Sequence, residues 1–203
     1  MAELGLRERK KRRMYQELSD VAVRLFVERG FDAVSVAEVA AAADVSKPTL
    51  FRYFPAKEDL VLHRIADHER EAARVVSGAP DEPPLRALRR HFLDRLAAGD
   101  PVTGLNDDPD VLAFHTLLYG TPALVARLSA HLERAEAALA DALGGDLEAR
   151  LAAGQIIAVQ RILALENWRR IAAGERAADV RQDAVRAAER AFGLLGEGLR
   201  RYA

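Results

Sequence analysis

Cysteine is absent from all 203 residues. Its absence excludes disulfides, thiolate zinc sites and cysteine nucleophiles, and it fits a reducing compartment. Long apolar runs are missing too: none reaches the roughly 18–20 residues that a membrane-spanning helix needs. The N-terminus is basic, but no apolar signal core follows it, so the expectation is a cytoplasmic protein with no membrane partner. Catalytic signatures are lacking. The chain has no G-x-S-x-G, H-E-x-x-H, P-loop or G-x-G-x-x-G pattern, so neither an enzyme nor a bound cofactor is expected. His63, Asp67 and His68 could begin a metal site, but only His63 and Asp67 are four apart on one helical face and no third ligand converges, so no metal is expected.

Half of the residues are apolar and 30% are charged, the balance of a globular chain long enough to bury real cores. Net charge is only −1, so nothing in the total advertises nucleic acid. The distribution says more. Residues 1–57 carry a net +3, and within residues 1–13 six basic residues, Arg7, Arg9, Lys10, Lys11, Arg12 and Arg13, face two acidic ones. Such a basic arm can be a footprint for phosphate, or it can be a solvated tail.

Helical periodicity runs almost throughout, and strand alternation is scarce. Tyr15, Leu18, Val21, Ala22, Leu25 and Phe26 share one helical face, and Gly30 supplies a stop. Ser35-Val36-Ala37-Glu38 reads as a capping box that opens a short helix over 36–42, with Val34 and Val39 placed as a hydrophobic staple. Ser46 can cap a third helix over 46–54, with Pro48 tolerated in its first turn. A long helix is expected over 57–77 and another over 84–98, beyond the break at Gly78, Pro80, Pro83 and Pro84. Asp108-Pro109 and Thr121-Pro122 each read as a cap followed by a first helical residue. Asp146 should cap a helix to about Ala173, and Asp179 one to about Arg201. The total is about nine helices.

The first three helices have the anatomy of a helix-turn-helix: a support helix at 36–42, a turn of about four residues, and a short second helix. Val39, Ala40, Val45, Leu50 and Phe54 are placed to form its small core. The outer side of the second helix is left to Lys47, Thr49, Phe51, Arg52 and Tyr53. This mixture suits a major groove: lysine can reach guanine acceptors, and threonine methyl or aromatic faces can meet the thymine methyl. Arg52, Tyr53 and Lys57 can take phosphates, and Ser35 can serve as helix cap, as phosphate contact, or both. The pattern alone also fits a plain three-helix scaffold.

Ser35-Val36-Ala37-Glu38-Val39-Ala40, followed by the run from Val45 through Ser46-Lys47-Pro48-Thr49-Leu50-Phe51-Arg52-Tyr53-Phe54-Pro55-Ala56-Lys57 to Leu60, resembles the DNA-binding signature of the TetR repressor family. The resemblance covers about residues 10–62. It implies that the helix at 46–54 enters the major groove of operator DNA, with Lys47, Pro48, Thr49 and Phe51 near bases, Ser35, Arg52, Tyr53 and Lys57 near phosphates, and Ser46 also among the DNA-binding residues. Three positions depart from the family pattern. Pro48 stands where glycine is common, Phe51 where tyrosine is frequent, and Ala56 where serine or threonine usually caps the next helix. The last change should weaken that helix start by about 1 kcal/mol.

Beyond residue 57 the resemblance is loose. It implies a helical domain with a ligand pocket among the middle helices and a dimer formed by the last two. The stripe Leu151, Ile156, Val159, Ile162, Leu163 and Leu165 covers too wide an arc for one intrachain contact, and Ala188, Ala191, Phe192 and Leu195 could face it. The same residues could also fill a monomeric core. Candidate ligand residues are His91, Phe92, Phe114, His115, Tyr119, Gln160, Asn167 and Trp168, although any one of them can equally be core or surface. Pro84-Leu85 and Thr121-Pro122-Ala123-Leu124 loosely resemble acyl-CoA-binding members of the family, and ligand pockets are predominantly apolar.

The expectation is therefore an all-α chain. A helix-turn-helix domain with a basic arm spans 1–56, and a ligand-binding and dimerisation domain spans 57–203. The resemblance implies a homodimeric transcriptional repressor, released from a palindromic operator by a small, mostly apolar effector.

Overall fold

The computed structural model describes residues 5–66 and 68–203, with residues 6–8 described by their backbone only. Two expectations therefore fall partly outside the described residues: the basic arm at Arg7 and the His63–Asp67–His68 run at Asp67. The helices are α1 (Leu6–Arg29), α2 (Val36–Ala42), α3 (Lys47–Tyr53), α4 (Asp59–Ala66), α5 (Glu71–Ser77), α6 (Pro84–Ala98), α7 (Pro109–Gly120), α8 (Pro122–Ala142), α9 (Leu147–Ala172) and α10 (Ala177–Gly198). Short 3₁₀ turns lie at Pro101–Thr103 and Arg200–Tyr202. Among the described residues there is no strand, and no single helix is long and apolar enough to cross a membrane.

The expected helices appear in order, with the one expected over 57–77 in two segments. α4 ends at Ala66 and α5 begins at Glu71, with a turn over 68–70. No proline or glycine marks this place. Instead, neighbouring carboxylates are drawn to different helices: Glu69 accepts two hydrogen bonds from Arg134 on α8 (2.8 and 3.0 Å), while Glu71 turns to His91 and Arg95 on α6.

Local chemistry sets most boundaries. Pro84 and Pro109 sit at first helical positions, where a missing N–H leaves no bond unmade. Asp146 caps α9 by accepting from the Ala149 N–H. α10 starts two residues before the expected Asp179. Its Ala177 N–H donates to Asp107, seventy residues upstream (2.9 Å), and Asp179 pairs with Arg176 instead (2.8 Å).

The chain divides into two compact units. The first comprises residues up to 67 together with 113–128, and the second comprises 68–112 with 129–203. The chain thus crosses between them three times, at 67/68, within α7 and within α8. In the first unit, Leu18, Ala22, Phe26, Val34, Val39, Leu50, Phe54, Leu60, Val61 and Leu62 form a core with Phe114, Leu117, Leu118 and Leu124. Its buried Ser19 hydroxyl donates to the Leu60 carbonyl (2.7 Å).

In the second unit, α10 packs against α6 and α9 around Leu88, Phe92, Leu96, Leu139, Ile156, Val180 and Phe192. The loop after α6 presses onto α9 at Gly104 (φ +70°). A Cβ there would overlap the Ala164 carbonyl oxygen and lie 2.9 Å from both that carbonyl's carbon and the Trp168 backbone nitrogen. Next to it, the buried Asn167 amide donates to the Thr103 carbonyl (2.9 Å).

Candidate nucleic-acid interface

The support helix α2 opens with the capping box that its sequence encodes. Ser35 Oγ accepts from the Glu38 N–H (3.2 Å), and the Glu38 carboxylate accepts from the Ser35 N–H (2.8 Å). The Ser35 backbone bond, the Arg29 side chain (2.6 Å) and the Ser35 hydroxyl hold the Glu38 carboxyl at about 2, well below its usual range. After Ala42 the chain reverses through Asp44, at φ +52° the sole non-glycine with positive φ among the described residues. This places the Val45 N–H on the Ala40 carbonyl (2.9 Å) and sends the chain into α3. Aspartate tolerates this left-handed angle better than most residues, so the expected turn forms without a glycine.

α3 is one short rod with two unlike sides. Ser46 caps it by accepting from the Thr49 N–H (3.2 Å), and the Ser46 and Thr49 hydroxyls meet at 2.8 Å. Pro48 occupies the first turn. Leu50 and Phe54 are buried in the core of the first unit. Ser46, Lys47, Pro48, Phe51 and Arg52 are exposed, Thr49 and Tyr53 are half-buried, and the capping Ser35 is exposed. Lys47 Nζ lies over the Phe51 ring at 5.8 Å, and the Arg52 guanidinium beside the Tyr53 ring at 5.6 Å. Behind α3, Tyr15 meets Tyr53 edge-on at 4.9 Å and stacks on His63. These aromatics fix the end of the rod against α1 and α4.

Of the residues expected at DNA, eight lie at this surface: Ser35, Ser46, Lys47, Pro48, Thr49, Phe51, Arg52 and Tyr53. Lys57 differs. It is half-buried, its ammonium donates to the Phe31 carbonyl, and it sits 4.2 Å from the Phe31 ring centroid and 5.3 Å from that of Phe26. The missing hydroxyl at Ala56 shows in the helix that follows. Residues 56–58 form turns with i→i+3 bonds, and regular helix begins only at Asp59, whose carboxylate accepts from the Ala56 N–H (3.2 Å). Arg9 to Arg13 are exposed within α1, so this part of the basic segment is helical rather than an extended arm.

A model of the bacterial regulatory proteins of the tetR family matches residues 18–63, which contain α2, α3 and the turn between them. The regulator TcmR of Streptomyces glaucescens is 32% identical over 140 residues, which is 67% of this chain and 61% of TcmR. Through this segment the chain belongs to the TetR family. The TcmR alignment leaves more than a third of that relative's length uncovered. Two solved TetR-type structures share the fold. NalD of Pseudomonas aeruginosa, the secondary repressor of the MexAB-OprM multidrug efflux pump, gives a TM-score of 0.59 at 17% identity, covering 89% of this chain and 97% of NalD. FadR of Bacillus subtilis, solved in complex with stearoyl-CoA, gives 0.53 at 16% identity, covering 86% and 97%.

The expected ligand residues of this TetR-family chain divide between the two units. Phe114, His115 and Tyr119 belong to the first, and His91, Phe92, Gln160, Asn167 and Trp168 to the second. Burial pushes the His115 imidazole down, and its Nδ1 has no hydrogen-bond partner among the described residues. Phe92 packs against Phe192 in the core, and Gln160 and Trp168 are half-buried. His91 donates to Glu71 (2.9 Å), which also accepts from His68 (2.8 Å) and pairs with Arg95. Burial works to raise the Glu71 pKa, but these hydrogen bonds and the Arg95 charge hold it down at about 2. Among the described residues, no group of three or more His, Asp or Glu could hold a metal ion.

The expected dimer stripe splits as well. Ile156, Ala188, Phe192 and Leu195 are buried within the chain's own core, because α10 packs directly on α9. Leu151 and Ile162 on α9 remain 59% and 55% exposed, as do Leu147 (63%) and Leu194 on α10 (69%), which the sequence pattern did not single out.

Proposed function

We propose that the protein is a sequence-specific, ligand-responsive transcriptional regulator, acting as a homodimeric repressor that a small, mostly apolar effector releases from a palindromic operator. One observation carries the reading. On α3, Leu50 and Phe54 are buried while Lys47, Pro48, Phe51 and Arg52 stand exposed, so the rod is anchored from below and presents a basic-aromatic face. A helix of this kind fits the major groove, and two of them related by a two-fold axis fit half-sites roughly one turn apart or slightly more. The exposed Leu151, Ile162 and Leu194 support pairing through α9 and α10. FadR, with its bound stearoyl-CoA, supports an apolar effector.

The domain division at residue 56 is a proposal about roles: residues up to 56 hold the operator, and 57–203 hold the effector and the partner chain. The effector acts through its differential affinity for two states. With α4 and α5 separate segments, the helices that run on from one compact unit into the other are α7 and α8.

Selection of bound fragments from genomic DNA tests the reading. The expected outcome is one enriched palindrome, and an unenriched pool would refute it. Lys47→Ala should weaken that palindrome by about 1–3 kcal/mol, and Arg52→Ala should weaken all sequences alike and lower the salt slope by about one. The effector arm is tested by adding stearoyl-CoA, then free aromatic acids, to the operator complex and measuring release.

A further inference from the structure

We propose that each operator half-site is read mainly through thymine methyl groups, with base hydrogen bonding concentrated in Lys47. The inference rests on the DNA-binding reading above and names the chemistry that reading leaves open. It follows from a hydrogen-bond inventory of the outer face of α3. Pro48 has no N–H. Phe51, 39% exposed, has no polar side-chain atom. The Thr49 hydroxyl lies 2.8 Å from Ser46 Oγ, which also accepts the Thr49 N–H (3.2 Å), so turning Ser46 toward a base breaks the cap of a seven-residue helix, and turning Thr49 away gives up its hydroxyl contact with Ser46.

Arg52 sits in the last turn beside Tyr53 and not in the first turn that leads into the groove. Lys47 at the head of the rod retains three donors and suits the paired O6 and N7 acceptors of guanine. What Pro48, Thr49 and Phe51 still present is a proline ring, a methyl and a phenyl ring. In the major groove the apolar group that a base offers to such a surface is the C5 methyl of thymine. The half-site is thus a guanine followed by thymines, discriminated by shape and methyl contact more than by hydrogen bonds.

The test starts from a randomised duplex library selected with the full chain. In the best duplex each thymine is replaced in turn by deoxyuridine, which removes only the methyl, and binding is read by fluorescence anisotropy. A contacted methyl should cost about fourfold in Kd, the factor for burying one such group, at positions symmetric about the dyad. Phe51→Ala or Thr49→Ser should abolish that sensitivity at its own position, whereas Thr49→Val, which keeps the methyl, should retain it. Circular dichroism checks that each variant is folded. Tight, sequence-specific binding that is unchanged by deoxyuridine at every thymine would overturn the proposal while leaving the regulator reading intact. A library that yields no preferred duplex would refute the regulator reading and, with it, this proposal.

Discussion

Replacing Gly104 with alanine should destabilise the second unit by several kcal/mol. Two contributions add. At φ +70° an alanine carries the left-handed penalty of roughly 1–2 kcal/mol. Its Cβ would also lie within 2.9 Å of the Trp168 backbone nitrogen and of the Ala164 carbonyl carbon, and closer still to that carbonyl's oxygen. These are atoms of a helix, so the loop must retreat. Retreat strains the bond from Asn167 to the buried Thr103 carbonyl, and leaving that pair unmade costs about 1–3 kcal/mol. The sum is about 2–5 kcal/mol. Gly99→Ala is the control, since Gly99 has φ +65° but nothing within 4 Å of a built Cβ, so it should cost only the conformational part. Guanidinium unfolding of both variants, monitored by the single tryptophan, Trp168, separates the contributions. Equal losses for the two would refute the close-approach argument.

Glu71 gives a pH dependence. Its folded value of about 2 lies below the ordinary 4.5, so its contribution to stability is complete above the ordinary value and disappears as pH falls from 4.5 toward 2. Glu71→Gln should therefore lower stability at neutral pH and flatten the acid limb of a melting-temperature profile, and parallel profiles would contradict this. Phe54→Ala should cost about 3–5 kcal/mol and abolish operator binding, because it removes the underside of α3; calorimetry and anisotropy together check it. Leu151→Glu combined with Ile162→Glu should leave the protomer folded and shift sedimentation toward monomer, whereas an unchanged dimer would move the interface away from this face of α9.

What could be read from the sequence tracks how local the determining interactions are. The capping box at Ser35 and Glu38, the Ser46 cap with Pro48, and the inward pair Leu50 and Phe54 all lie within four residues of their partners, and all stand where the spacing puts them. The failures are long-range. Asp107 caps α10 across seventy residues, so Asp179 looked like the cap only in isolation. The interruption between α4 and α5 coincides with carboxylates held from α6 and α8, which no window of sequence contains. The apolar stripe on α9 is wider than one neighbour covers, but which of its residues are buried depends on how α10 packs. Of the candidate DNA surface, the α3 side chains were legible. The inward turn of Lys57 was not, because it is set by Phe31 and Phe26, on the far side of two helices.

That inward turn bears on how the protein responds to its ionic surroundings. An ammonium held on two rings and a carbonyl is less available to pair directly with a phosphate, so docking on a duplex displaces fewer condensed counterions than the tally of basic residues suggests. Occupancy of the duplex should therefore persist further into rising ionic strength than it would for a chain whose lysine at this place faced outward.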